Sequence, residues 1–158
     1  FMQPDSYQNL PTGFKPNEYK ISPSKITKKL KHLGQLDIGN RVLIIHHTPG
    51  HSPGSVCIED KKYGLLFTGD TYYRGTIFLH LPGSSYEKFV ESCVYLNSFI
   101  PKIKALCPGH NECFAPKDDI AFLHEAITNI NLDQIKFDVN NESKFYQFEH
   151  FNLRLPLT

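Results

Sequence analysis

An α/β fold with a mixed β-sheet and two main helices is predicted by three observations. Short apolar runs at 42–45, 65–67 and 105–107 each close at a glycine or proline, the pattern of a buried strand entering a turn. Residues 85–99 and the stretch after Pro116 instead carry apolar side chains at helical spacing. The two kinds of segment alternate along the chain, as they do when helices cover a sheet.

Residues 1–24 are rich in Pro, Asn, Gly and Tyr without a period and read as an irregular connector. Residues 25–30 and 35–38 are short strand candidates, with Leu33-Gly34 and Ile38-Gly39-Asn40 as turns. The continuous run Val42, Leu43, Ile44, Ile45 makes 41–47 the strongest strand, of the kind covered on both faces. Residues 55–59 alternate, with Val56 and Ile58 on one face and Cys57 on the other. The polar turn 60–64 then leads into 65–68, so these two strands form an antiparallel hairpin. A loop at 71–75 precedes a weak strand at 76–79. Ser84 with Glu87 gives an S-x-x-E capping box for a helix over 85–99, which Pro101 ends. Strand 103–107 follows. Pro116 sets φ for a first helical turn carrying Asp118 and Asp119, and Ile120, Leu123, Ala126, Ile127 and Ile130 form that helix's inward stripe. From 135 to 155 the pattern turns strand-like again, a closing pair or trio packed on the sheet edge.

With 158 residues the chain fits one domain. A net charge of +1 and the lack of any long basic block argue against a nucleic-acid or anionic-membrane partner. No run approaches the roughly 18 apolar residues of a membrane span, and the start lacks the order of a secretory signal, so the expected compartment is cytoplasmic. The four cysteines form no C-x-x-C pair and read as reduced thiols, with Cys107 and Cys113 flanking His110.

Three turns carry the chemistry. Thr48-Pro49-Gly50-His51-Ser52-Pro53-Gly54-Ser55, Phe67-Thr68-Gly69-Asp70-Thr71 and Pro108-Gly109-His110 each follow an apolar run and deliver one metal-competent side chain at a strand end. Two imidazoles and a carboxylate held in this way can meet around a metal; that donor set suits zinc, and also iron or manganese. Tyr72, Tyr73 and Arg74 follow Asp70 on the same loop and are candidates for substrate binding, Arg74 as partner to a carboxylate or phosphate. Thr71, His80 and Asn111 are weaker candidates. Ser52 is expected to stabilise its turn, and one of His46 and His47 to be structural.

The three stretches, with 19 residues between His51 and Asp70 and 40 between Asp70 and His110, resemble the later metal motifs of the metallo-β-lactamase superfamily. The closest resemblance is to hydrolases with T-P-G-H-S-P-G-S, acyl-thioester and glyoxalase II-like hydrolases among them. It implies an αββα sandwich with a pair of zinc ions at one edge, His51 on one ion, His110 on the other and Asp70 bridging. It also implies that these residues are catalytic, with a metal-bound hydroxide attacking an ester, thioester or amide of a small-molecule substrate.

The superfamily's H-x-H-x-D-H signature is missing: residues 1–50 hold only His32, His46 and His47 in no such order. Two ligands per ion fall short of the three a catalytic zinc keeps. The expectation is therefore that residues 25–158 are the C-terminal part of the domain, that a missing N-terminal half completes the cage, and that this chain alone binds metal weakly and is close to inactive. Strands apolar on both faces lead to the same expectation, because two helices can cover only one of them. The alternative is a non-catalytic binding or regulatory module. A di-iron redox member would need an attached flavin or rhodanese-like domain, of which the sequence shows no sign.

Overall fold

The computed structural model describes residues 25–140 and 143–157. The connector expected at 1–24 lies outside the described residues. The chain runs β1 (Gln35–Asp37), β2 (Val42–His47), β3 (Val56–Asp60), β4 (Leu65–Gly69), β5 (Thr76–Phe78), α1 (Tyr86–Phe99), a 3-10 turn (Ile100–Lys102), β6 (Ala105–Pro108), β7 (Ala115–Pro116), α2 (Asp119–Asn131), β8 (Asp138–Asn140), β9 (Ser143–Gln147) and β10 (Asn152–Pro156).

The strands form two mixed sheets, as the α/β prediction requires. The larger has the order β1-β2-β3-β4-β6-β7, antiparallel except for the parallel pair β4/β6. That pair is the crossover at which α1 enters, since parallel neighbours need a long connection. The smaller sheet has the order β5-β10-β9-β8, with β5 parallel to β10.

One apolar core joins the layers. Cys57, Leu66 and Leu106 of the large sheet meet Phe89, Cys93 and Leu96 of α1 and Ile120, Leu123 and Ile127 of α2. Ile77, Leu153 and Leu155 join them from the small sheet. Register explains the division of faces: His46 stands opposite Cys57, and Leu66 opposite both Glu59 and Leu106. The alternating neighbours Val56, Ile58 and Phe67 therefore point the other way. On that side Val56 keeps 37% and Phe67 40% of its surface exposed.

Several elements differ from the sequence reading. Residues 25–30 form no strand, and Ile26 and Leu30 are exposed, so no apolar face is buried there to order one. The cap of α1 is Ser85, not Ser84: Ser85 is extended (φ −144, ψ 116) and its side chain accepts from the Lys88 amide, whereas Ser84 Oγ donates to the Leu81 carbonyl. Pro116 belongs to β7, at the sheet's edge, and α2 starts later, with Asp118 as its cap. An edge strand tolerates a residue without an N–H. Ile103 follows the 3-10 turn, so β6 starts at Ala105. The closing strands do not extend the large sheet. They pair with β5 instead, since the edge at β7 is only two residues long and ends in proline.

Candidate metal centre

Each of the three turns sits at the end of a strand of the large sheet, and side-chain and backbone bonds hold the turns together. Thr48 and Thr71 share a hydroxyl–hydroxyl hydrogen bond of 3.0 Å, joining the His51 turn to the loop after Asp70. The Gly109 amide donates to the Gly69 carbonyl at 3.1 Å, joining the His110 turn to the Asp70 turn. A Cβ on Gly109 would lie 3.1 Å from Gly69 backbone atoms, which is why that position is a glycine. Between Phe67 and Gly69 the β4/β6 register slips by one residue, a bulge that re-aims the chain just before Asp70. Thr68, the extra residue, donates its hydroxyl to the Tyr72 carbonyl.

The result is convergence. Asp70 presents one carboxylate oxygen to each imidazole: Oδ1 lies 2.9 Å from His110 Nε2, and Oδ2 lies 3.7 Å from His51 Nε2. His51 Nδ1 is 2.9 Å from the Phe78 carbonyl of β5. A carbonyl only accepts, so Nδ1 carries a proton and the ring is turned with Nε2 toward Asp70. A backbone carbonyl on the far nitrogen is the usual way a ligating imidazole is oriented. Two imidazoles and one carboxylate are the donor types that suit zinc, iron or manganese, and the turns bring them together with Asp70 between the two rings. Among the described residues, no group of three or more His, Cys, Asp or Glu side chains could hold a metal ion.

A cleft of about 420 Å³ opens over this cluster, bounded by Tyr73, Thr76, Phe78 and Asn111 as well as the three ligand candidates. Tyr73 packs edge-on to His110, with ring centroids 5.0 Å apart, and its hydroxyl donates to the Thr76 carbonyl. Burial, helped by the Asp70 charge, pushes its phenol up to about 12, so at neutral pH it keeps the proton that it donates to the Thr76 carbonyl.

The neighbours of Tyr73 point elsewhere. Tyr72 is fully buried and donates to Asp119 Oδ2 at 2.7 Å. Arg74 donates to the same carboxylate from Nε at 2.9 Å and from a terminal nitrogen at 3.3 Å, and these hydrogen bonds raise its pKa further. Of the three residues read from sequence as substrate candidates, the structure thus brings only Tyr73 to the cleft. His80 lies beside Arg154 instead, where burial lowers its pKa. Ser52 holds its own turn through a 2.8 Å contact with Ser55.

His46 is the structural histidine. It is 3% exposed, stacks on Phe99, and pairs Nδ1 with the Tyr95 hydroxyl (2.7 Å) and Nε2 with Glu59 (3.0 Å). Burial lowers its pKa against the opposing pull of Glu59. The site residues that sequence reading missed are Thr76 and Phe78. Phe78 acts through its carbonyl, which no side-chain pattern announces.

The architecture is two mixed sheets with their helices and three strand-end turns, and the metallo-beta-lactamase superfamily profile matches residues 2–110. The chain belongs to that superfamily. It is 31% identical over 104 residues to the acyl-coenzyme A thioesterase MBLAC2 of Gallus gallus, covering 65% of this chain and 38% of that protein. To the probable metallo-hydrolase YybB of Bacillus subtilis it is 27% identical over 99 residues, covering 61% of this chain and 45% of the relative. The chain thus spans less than half the length of these relatives. Among solved structures, the metallo-beta-lactamase family protein TTHA1429 from Thermus thermophilus superposes with TM-score 0.59 at 20% identity, over 70% of this chain and 38% of that one. TTHA1623, solved in a di-iron-bound form, superposes with TM-score 0.51 at 27% identity, over 63% and 48%. Among the described residues no helix is long and apolar enough to cross a membrane.

Proposed function

We propose that this chain forms the C-terminal share of a metal-dependent hydrolase whose substrates are small acyl thioesters. The observation that carries the reading is Asp70, whose two oxygens face the Nε2 atoms of His51 and His110 from separate turns. In it His51 and His110 would each hold one ion and Asp70 would bind both, with zinc the expected metal and iron or manganese as substitutes. Bound divalent ions supply Lewis acidity toward a carbonyl oxygen and lower the pKa of water.

This chain's residues do the rest. The Phe78 carbonyl fixes the His51 tautomer, and the Thr48–Thr71 bond holds the His51 turn against the Asp70 loop. Tyr73, kept protonated, forms a wall of the cleft beside His110 and keeps that ring in place. The likeness to MBLAC2 supports a thioester over other acyl substrates. The remaining ligands would come from the other half of the same domain, packed over the open face bearing Val56 and Phe67.

The test is hydrolysis of acyl-coenzyme A, aryl ester and β-lactam panels by the complete domain, metal-loaded, with this chain alone as the near-inactive comparison. Thioester turnover that is lost on chelation and in His51→Ala is the expected result. Tight metal binding with no turnover on any panel would favour the non-catalytic module instead.

A further inference from the structure

We propose that Asp119 is a positioning residue for the metal centre, acting through Arg74 and Asn111 to hold the His110 turn and the Asp70 loop in register. The proposal rests on reading Asp70 and His110 as a ligand pair. Asp119 opens α2 and is 1% exposed, yet it is a carboxylate and does not touch the cleft. Its oxygens accept three hydrogen bonds, one from Tyr72 and two from Arg74, the residues on either side of Tyr73. The loop is therefore gripped at alternate positions from below, and Tyr73 between them is left facing the cleft.

The grip continues to the third turn. The Arg74 carbonyl accepts the Asn111 side-chain amide at 2.6 Å, and Asn111 directly follows His110. Asn111 holds a left-handed conformation (φ 67), and its amide lies where a Cβ on Gly75 would be only 2.6 Å away. Gly75 thus clears the path for this one bond. The sequence Asp119, Arg74, Asn111, His110 links the start of α2 to the metal side of the sheet. A buried carboxylate paired with a guanidinium is strongly directional, and removing one partner leaves the other uncompensated. Packing alone needs neither the charge nor the Asn111 amide.

Two variants test this: Asp119→Asn, which removes the charge, and Asn111→Gly, which removes the amide but tolerates the positive φ. The readouts are the NOE between Tyr73 and His110 ring protons in metal-free protein, and Zn²⁺ affinity by competition titration. Loss of the NOE together with a fall of about tenfold or more in affinity is expected in both folded variants, the scale on which groups supporting ligands act. An intact NOE with affinity within about twofold of wild type would overturn the positioning role and leave the ligand reading standing. Loss of the NOE in protein whose wild type binds no Zn²⁺ would support the positioning role and overturn the ligand reading. If Asp119→Asn fails to fold, Asn111→Gly decides alone, since its side chain is exposed and its removal leaves the core untouched.

Discussion

The two glycines of the T-P-G-H-S-P-G-S turn should respond in opposite ways to the same substitution. Gly50 adopts φ 150, and a Cβ built there would lie 2.5 Å from Phe89 Cβ and 2.6 Å from its Cα, on the first turns of α1. The turn is pinned in that position because the Ser85 amide donates to the Gly50 carbonyl and Ser92 Oγ donates to the Pro49 carbonyl. Gly50→Ala must therefore push the His51 turn off α1 or strain both. Overpacking costs about 1–3 kcal/mol and an unfavourable φ about 1–3 kcal/mol more, giving a loss of about 3 kcal/mol as a working figure. With a urea m-value of about 2 kcal/mol/M, the midpoint falls by about 1.5 M. Gly54 has nothing within 4 Å of its virtual Cβ, so Gly54→Ala should be neutral, or stabilising by up to about 1 kcal/mol through the unfolded chain. Urea unfolding followed by circular dichroism measures both. A Gly50→Ala midpoint within about 0.3 M of wild type, at unchanged m, would refute the close-approach argument.

Two further outcomes follow from single contacts. Ser85→Ala should lose about 1 kcal/mol by thermal or urea unfolding, and Ser84→Ala markedly less, because only Ser85 caps the α1 amides; equal losses would put the cap elsewhere. His46→Gln should cost about 1–3 kcal/mol at pH 7.5 by breaking a buried pair of hydrogen bonds. Burial holds the folded-state pKa of His46 below 6.5, so the unfolded chain takes up its proton first as pH falls. Wild-type stability should therefore decline relative to His46→Gln as pH drops below about 6.5, with the two urea midpoints converging. A gap that widens on acidification would mean that His46 is charged in the folded state.

Much of the site was legible because its parts are punctuated. His51, Asp70 and His110 each follow an apolar run and a glycine, so strand ends and turns could be placed without tertiary information, and the structure brings the three side chains to one cleft. The family resemblance was confirmed for the same reason, since the motifs are local. Direction within a loop is a different matter. Tyr72, Tyr73 and Arg74 are adjacent and all polar-tipped, and only the position of Asp119, brought in by α2, decides which of them turns inward. The S-x-x-E pattern pointed to Ser84 as the cap, but its hydroxyl donates to the Leu81 carbonyl and Ser85 caps the helix instead. The small sheet could not be read in advance, because β5 pairs in parallel with β10, far along the chain, and no periodicity in either strand names its partner.

We read Asp70 as one carboxylate shared between two cations held by separate histidines. Zn²⁺ or Co²⁺ binding by the protein and its His51→Ala, His110→Ala and Asp70→Ala variants, measured by titration under chelator competition, tests it most directly. Each histidine variant should weaken one binding event and spare the other, while Asp70→Ala weakens both. An Asp70→Ala protein that takes up both ions with wild-type affinity would contradict the account.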